Sequence, residues 1–357
     1  MKRFGSVLWV SVILATGTAG IALLAPAATA ASGDRAGDQL DDQTMPGSDP
    51  AALLLLERAE RAAYTVPYSG VRYLATWCPR GTTSAIVEIS HVPGVGTTVL
   101  LRNTAADPAG RALANSTAAR PITAPDASRP AATGLVARNF QVILTGKDEV
   151  AGRRAAVVEV RRPGTGTLAA RMWLDSATAL VLRLDVFDST GATVRAGGFI
   201  AIKVERPTAV QTMLPPPVGP AELNQVRSDG WIVPSELANA LRLYDLQTLP
   251  GAIVHASYSD GLSTVSVFAQ HGRLDTGALS GYSKVHLGGA AVYVYDGTPR
   301  RVMWAANGRV YTILTDAPDE MIESVLATLP RDTADGGLVA RLGRGLSRVG
   351  SWFNPFG

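Results

Sequence analysis

The sequence predicts an α+β protein of two domains, the first built on a highly curved antiparallel sheet and the second, smaller one on further strands followed by a helix. Three observations carry this: period-two alternation in runs across residues 71–205, a proline-rich break at 207–228, and a second series of strand-like runs ending in an amphipathic stripe. In Leu182-Arg183-Leu184-Asp185-Val186 the apolar side chains share one face and the charges the other, as a sheet with one covered face requires.

Asp49 and Pro50 form a helix start ahead of Leu53–Leu56 and an Ala-rich stretch to Ala63. Strands are then expected at 71–77, 86–90, 97–101, 141–145, 156–161, 167–174, 180–187 and 199–205. Turn chemistry punctuates them at 148–152, 163–166 and 188–191. Residues 103–134 shift to Ala, Pro, Thr, Ser and Asp and read as a long loop, or as a weak helix around 109–119. After the break, a short helix near 235–241 and strands at 251–257, 262–270, 282–287, 290–296, 301–306 and 309–315 are expected. A final helix follows from Pro318, with Met321, Ile322, Val325, Leu326 and Leu329 on its core stripe.

The domain plan that results is a signal peptide at 1–30, a flexible tether at 31–50, a first domain at 51–206, a linker at 207–228, a second domain at 229–330 and a basic tail at 331–357. The signal rests on Lys2 and Arg3, an apolar run from Val7 to Leu24, and Ala28-Thr29-Ala30 as a cleavage site. An uncleaved anchor is the alternative. The formal net charge is +3, and loss of Lys2 and Arg3 would bring the chain closer to neutrality, which argues against nucleic acid as a partner. A single cysteine, Cys78, excludes an intramolecular disulfide.

Motifs for catalysis are missing. The four histidines, His91, His255, His271 and His286, lack the spacing that sets two ligands on one helix face, so neither a metal nor a cofactor is expected. Gly-x-Ser-x-Gly does not occur. Gly164-Thr165-Gly166-Thr167-Leu168-Ala169 fits a relaxed dinucleotide fingerprint, but its β-branched, alternating flanks make it a hairpin turn. The chain is therefore read as a non-enzyme, with an envelope hydrolase as the weakest competing idea.

Three passages resemble the MucB/RseB family of extracytoplasmic sigma-E regulators. They are the stretch from Ala59 through Tyr73, the stretch 150–204 with VAGRRAAVVEV and RMWLDSATALVLRLDVFDSTG, and Tyr258-Ser259-Asp260-Gly261-Leu262 running into STVSVFAQ. The resemblance implies a first domain similar to the lipoprotein carriers LolA and LolB, a half-barrel closed by helices over an apolar cavity, and a smaller C-terminal α+β domain. It implies an exported protein of the periplasm or cell envelope that binds the extracytoplasmic part of a membrane-spanning anti-sigma factor. Such a protein modulates the anti-sigma factor's proteolysis in response to envelope stress or lipid-like ligands. A lipid or lipoprotein carrier is the alternative.

Candidate sites follow from these two sources. Val71, Tyr73, Ala75 and Trp77 share one side of their strand, and Leu182, Leu184 and Val186 share one side of theirs. Both sets are expected to line an apolar-ligand cavity or, as the plainer alternative, a filled core. Tyr258, Ser259, Asp260 and Gly261 are candidates for partner contact, although Asp-Gly at a strand junction is also a turn signal. In the tail, Leu338, Leu342, Leu346 and Val349 follow helical spacing beside Arg341, Arg344 and Arg348 over residues 336–357. This suits peripheral membrane contact, a docked helix or disorder.

Overall fold

The computed structural model describes residues 45–78, 81–105, 122–124, 132–205, 218–287, 290–297 and 300–331. The expected signal, most of the tether, the middle of the 103–134 stretch, Pro215–Pro217 and the basic tail lie outside the described residues.

The chain enters through Met45–Asp49, the end of the expected tether, and this part is tied down. Met45 N–H donates to the Ala137 carbonyl at 2.7 Å and Asp49 N–H to that of Val142 at 2.7 Å. Helix α1 (Pro50–Thr65) starts as its sequence dictates, with the Asp49 carboxylate accepting from Ala51 N–H and Pro50 in the first turn. Its stripe Ala52, Leu56, Ala59 is buried. Val66 then takes an extended conformation and ends it.

Nine strands follow: β1 (Tyr68–Cys78), β2 (Gly81–Val92), β3 (Gly96–Ala105), β4 (Ile122–Ala124), β5 (Gln141–Val150), β6 (Arg153–Arg161), β7 (Leu168–Asp175), β8 (Val181–Phe187) and β9 (Thr193–Val204). Helix α2 (Ala132–Asn139) precedes β5. The sheet order is β4-β3-β2-β1-β9-β8-β7-β6-β5, antiparallel throughout and open. Six of its eight pairings carry a register shift, whereas one of seven does in the second sheet. Each extra residue bends its strand locally and adds twist. The Gly164–Gly166 stretch is indeed a hairpin turn between β6 and β7, with both glycines at positive φ.

The second domain opens on α3 (Pro220–Ser228), so the expected linker ends in a helix: Pro220 fits its first turn and Val226 buries in the core beside Trp231. Its strands are β10 (Glu236–Leu237), β11 (Leu241–Leu249), β12 (Ile253–Ser259), β13 (Thr264–His271), β14 (Ser283–Leu287), β15 (Ala290–Tyr295), β16 (Arg300–Ala306) and β17 (Arg309–Thr315), followed by α4 (Asp319–Thr328). The order is β10-β11-β12-β13-β17-β16-β15-β14, again antiparallel and open. The helix expected at 235–241 is a hairpin instead, because Ala238 and Asn239 both take positive φ, which no right-handed helix permits. Ile322, Val325, Leu326 and Leu329 of the last helical segment are core, as their spacing requires.

His255 lies in the interior of this domain, stacked on Phe268 with ring centroids 4.2 Å apart, and its Nε2 shares a hydrogen bond with Ser257 Oγ. Burial pushes its pKa down to about 4. The unfolded chain therefore takes up a proton near pH 6.5 that the native state refuses until about pH 4. Stability should be complete above pH 6.5 and fall by up to roughly 3 kcal/mol as the pH drops towards 4. Urea unfolding across that window checks this, and His255→Gln should flatten the dependence.

Candidate ligand face and domain junction

The inner face of the first sheet is the one its helices cover. Val158, Val160, Met172, Leu184 and Val186 form one buried cluster with Ala52, Leu56 and Ala59 of α1 and Val136 of α2. Leu182 belongs to a second cluster with Ala62 and Phe199. Leu182, Leu184 and Val186 are all buried.

Val71, Tyr73, Ala75 and Trp77 lie on the opposite face, which corrects the expectation that the two sets line one space. Cross-strand neighbours share a face. Tyr73 stands opposite Gly198, and Gly198 opposite Arg183. Leu184 instead stands opposite Gly197, and Gly197 opposite Leu74. The outer face so defined is half-wet: Trp77 is 39% exposed, and Arg183 lies over the Trp173 ring at 4.4 Å while pairing with Asp185 at 2.6 Å. Glu159 on the same face bridges Arg161 and Arg171.

The residues that β1 turns inward are thus Tyr68, Gly70, Arg72 and Leu74. Arg72 is 3% exposed, flanked across the sheet by Val87 of β2 and Phe199 of β9. Its guanidinium lies 4.8 Å from the centre of the Phe199 ring. Nε and Nη1 are buried without a hydrogen-bond partner, and burial lowers the pKa of the group. Among the described residues no carboxylate pairs with it. A charged residue between Val71 and Tyr73 looks like the solvent side of an alternating strand, so nothing local in the sequence marks Arg72 as buried.

Tyr258, Ser259, Asp260 and Gly261 occupy the junction between the domains. Tyr258 is core, its hydroxyl donating to the Pro234 carbonyl at 2.9 Å. Ser259 Oγ donates to the Ser263 carbonyl and accepts from Gly261 N–H. Asp260 Oδ1 accepts from the N–H groups of Leu262 and Ser263 at 2.8 and 2.7 Å, closing the turn. The turn projects Leu262, 5% exposed, into the hydrophobic cluster of the first domain. Asn139 Nδ2 donates to the carbonyls of Ala240 and Asp260, Arg195 donates to that of Leu262 at 2.6 Å, and Arg195 also pairs with Asp316. Ser189 donates from its N–H and hydroxyl to the Glu320 carboxylate. Tyr258, Ser259 and Asp260 therefore face the interior of the chain, because the turn they build is apolar at its tip and needs a core to enter.

Residues 103–218 match the family model of the MucB/RseB N-terminal domain. This supports the MucB/RseB resemblance over a stretch that runs from β3 to the approach to α3. No curated protein matches the chain. Among solved structures, a crystal structure of MucB is 16% identical with a TM-score of 0.45, covering 80% of this chain and 99% of that one. The complex structure of Pseudomonas aeruginosa MucA/MucB is 18% identical at a TM-score of 0.41, with 80% and 99% covered. The LolA superfamily protein NE2245 from Nitrosomonas europaea is 8% identical at 0.19, with 75% and 96% covered.

Burial pushes the Asp260 carboxyl up from its ordinary value, so its charge is disfavoured while its acceptor geometry is needed. Asp260→Asn should hold the melting temperature at neutral pH or raise it. Asp260→Ala strands two buried N–H donors and should cost about 2–4 kcal/mol by urea denaturation. Arg195→Met, which leaves Asp316 buried and unpaired, should cost about 3–5 kcal/mol, and adding Asp316→Leu should recover most of that loss.

Proposed function

We propose that this chain is an extracytoplasmic regulator that binds the exposed part of a membrane-spanning anti-sigma factor and modulates its proteolysis in response to envelope stress or lipid-like ligands. The observation that carries this is the match of residues 103–218 to the MucB/RseB N-terminal domain. MucB, the protein of that family solved as a complex with MucA, suggests the kind of partner. Binding of this sort needs complementary surfaces and no catalytic group.

In this reading the half-barrel is LolA-like, closed by α1 and α2, and takes an apolar ligand on its inner face. The role of Tyr258, Ser259, Asp260 and Gly261 in partner binding is then indirect. They hold the second domain in one orientation against the first, so that a partner spanning both meets a fixed surface. A carrier of lipids or lipoproteins is the second reading, favoured by the inner face of a curved sheet lying under helices. Export to the periplasm or envelope belongs to both readings and rests on the signal pattern of residues 1–30.

The two separate experimentally. The full chain should bind the purified extracytoplasmic segment of a membrane-spanning anti-sigma factor from the same organism, with a dissociation constant of about 1 μM or tighter by calorimetry. Binding should weaken at least about threefold when Leu262→Asp frees the domains from each other, a loss of at least about 0.65 kcal/mol in free energy. No binding of that segment, together with transfer of an acyl probe between vesicles, would replace the regulator with the carrier.

A further inference from the structure

We infer that Arg72 receives the anionic group, a carboxylate or a phosphate, of an acyl-chain ligand lying on the inner face of the first sheet. The inference rests on the lipid-like ligand of the proposed function and adds to it the polar end of that ligand and the residue that reads it.

The argument begins from cost. A guanidinium remains charged at any pH a protein meets, and taking it out of water is unfavourable unless a counter-charge and hydrogen-bond acceptors replace the lost hydration. Arg153, Arg161, Arg171 and Arg183 of the same sheet each have a carboxylate within hydrogen-bond distance. Arg72 is more deeply buried than any of these, and has the Phe199 ring in place of a carboxylate. A ring face returns part of the lost hydration energy but accepts no hydrogen bond in the guanidinium plane. Nε and Nη1 therefore stand as donors without acceptors.

The surroundings specify what would complete the site. Val87 and Phe199 flank Arg72 across the sheet, Leu74 follows it along the strand, and Ile89 lies opposite Gly70, so an apolar strip leads away from one positive group. Gly70 and Gly197 let the chain approach closely here: a Cβ at Gly70 would clash with the Ala201 carbonyl oxygen and meet the Phe199 ring at 3.0 Å, and one at Gly197 would meet Leu74 at 3.1 Å, with Arg72 Nη2 at 4.0 Å. The planar fork of arginine matches either a carboxylate or a phosphate through paired hydrogen bonds. A molecule with one anionic end and one apolar body satisfies both parts at once, whereas a neutral lipid would leave the donors unmet.

The test uses the full chain and two fluorescent probes, dansyl-undecanoic acid and its methyl ester, which differ only in the charge at one end. The acid should bind at least about tenfold more tightly than the ester. Arg72→Met should bind both with the ester's affinity, and Arg72→Lys should keep part of the preference. Lysophosphatidic acid should displace the acid probe and inorganic phosphate alone should not. Equal binding of acid and ester, or a preference that survives in Arg72→Met, would overturn the inference, and displacement by inorganic phosphate alone would overturn its acyl-chain part. A wild-type chain that binds neither probe would remove the lipid-like ligand itself, an outcome distinct from equal binding of both. Without ligand, Arg72→Met should melt at or above the wild-type temperature, since it deletes an uncompensated charge. Should that variant fail to fold, the thermal shift of the wild type decides: an ester that raises the melting temperature as much as the acid does counts against Arg72.

Discussion

Leu262 belongs to the second domain by sequence and to the first by packing. Its side chain sits in the cluster built from α1, α2 and β5–β8, and the groups around it serve to hold it there. Asp260 fixes the turn, Asn139 and Arg195 grip its carbonyls, and Asp316 neutralises Arg195. Burying one leucine contributes about 2 kcal/mol, a modest sum beside the entropy of fixing two domains. The junction is thus held by the leucine together with a few charge-assisted hydrogen bonds, and these are sensitive to any ligand that competes for them.

Sheet alternation was the most legible feature of the sequence, and its limits are instructive. Most strand positions, though not β4, β10 or β11, the Asp49-Pro50 helix start, the 163–166 hairpin and the stripe of the last helix could be read, because each rests on short-range chemistry. Which face of β1 points inward could not. Val71, Tyr73 and Trp77 outweigh Gly70, Arg72 and Thr76 in apolar character, yet the register through Gly197 and Gly198 turns the less apolar set towards the helices. Parity is set by partners more than a hundred residues away, and the bulge between Val71 and Arg72 shifts it again. The same distance effect hid the junction: Tyr258–Gly261 read correctly as a turn, but nothing local says that a turn tip enters another domain's core.

Charge is distributed across the first sheet with a consistent logic. On the outer face arginines and carboxylates alternate within reach of one another, where solvent screens what their geometry leaves unbalanced. On the inner side two arginines are buried, and they differ in one respect. Arg195 meets Asp316 and a carbonyl from the second domain, so its charge is balanced by the fold. Arg72 has the Phe199 ring over its guanidinium and no carboxylate partner among the described residues, which is the basis for inferring an external anion.

The location of Leu262 has a consequence for how the chain is made. Its insertion point is framed by strands that leave the ribosome well before it, so the first domain can form its ladders while its core still lacks a piece. Until residues 260–264 and Asp316 emerge and dock, the inner wall exposes apolar surface and Arg195 lacks its counter-charge. A nascent chain in which the first domain folds ahead of this segment would be partly folded over that interval, open to holdases and to premature self-association. The two domains mature together, with a later-synthesised segment completing the first.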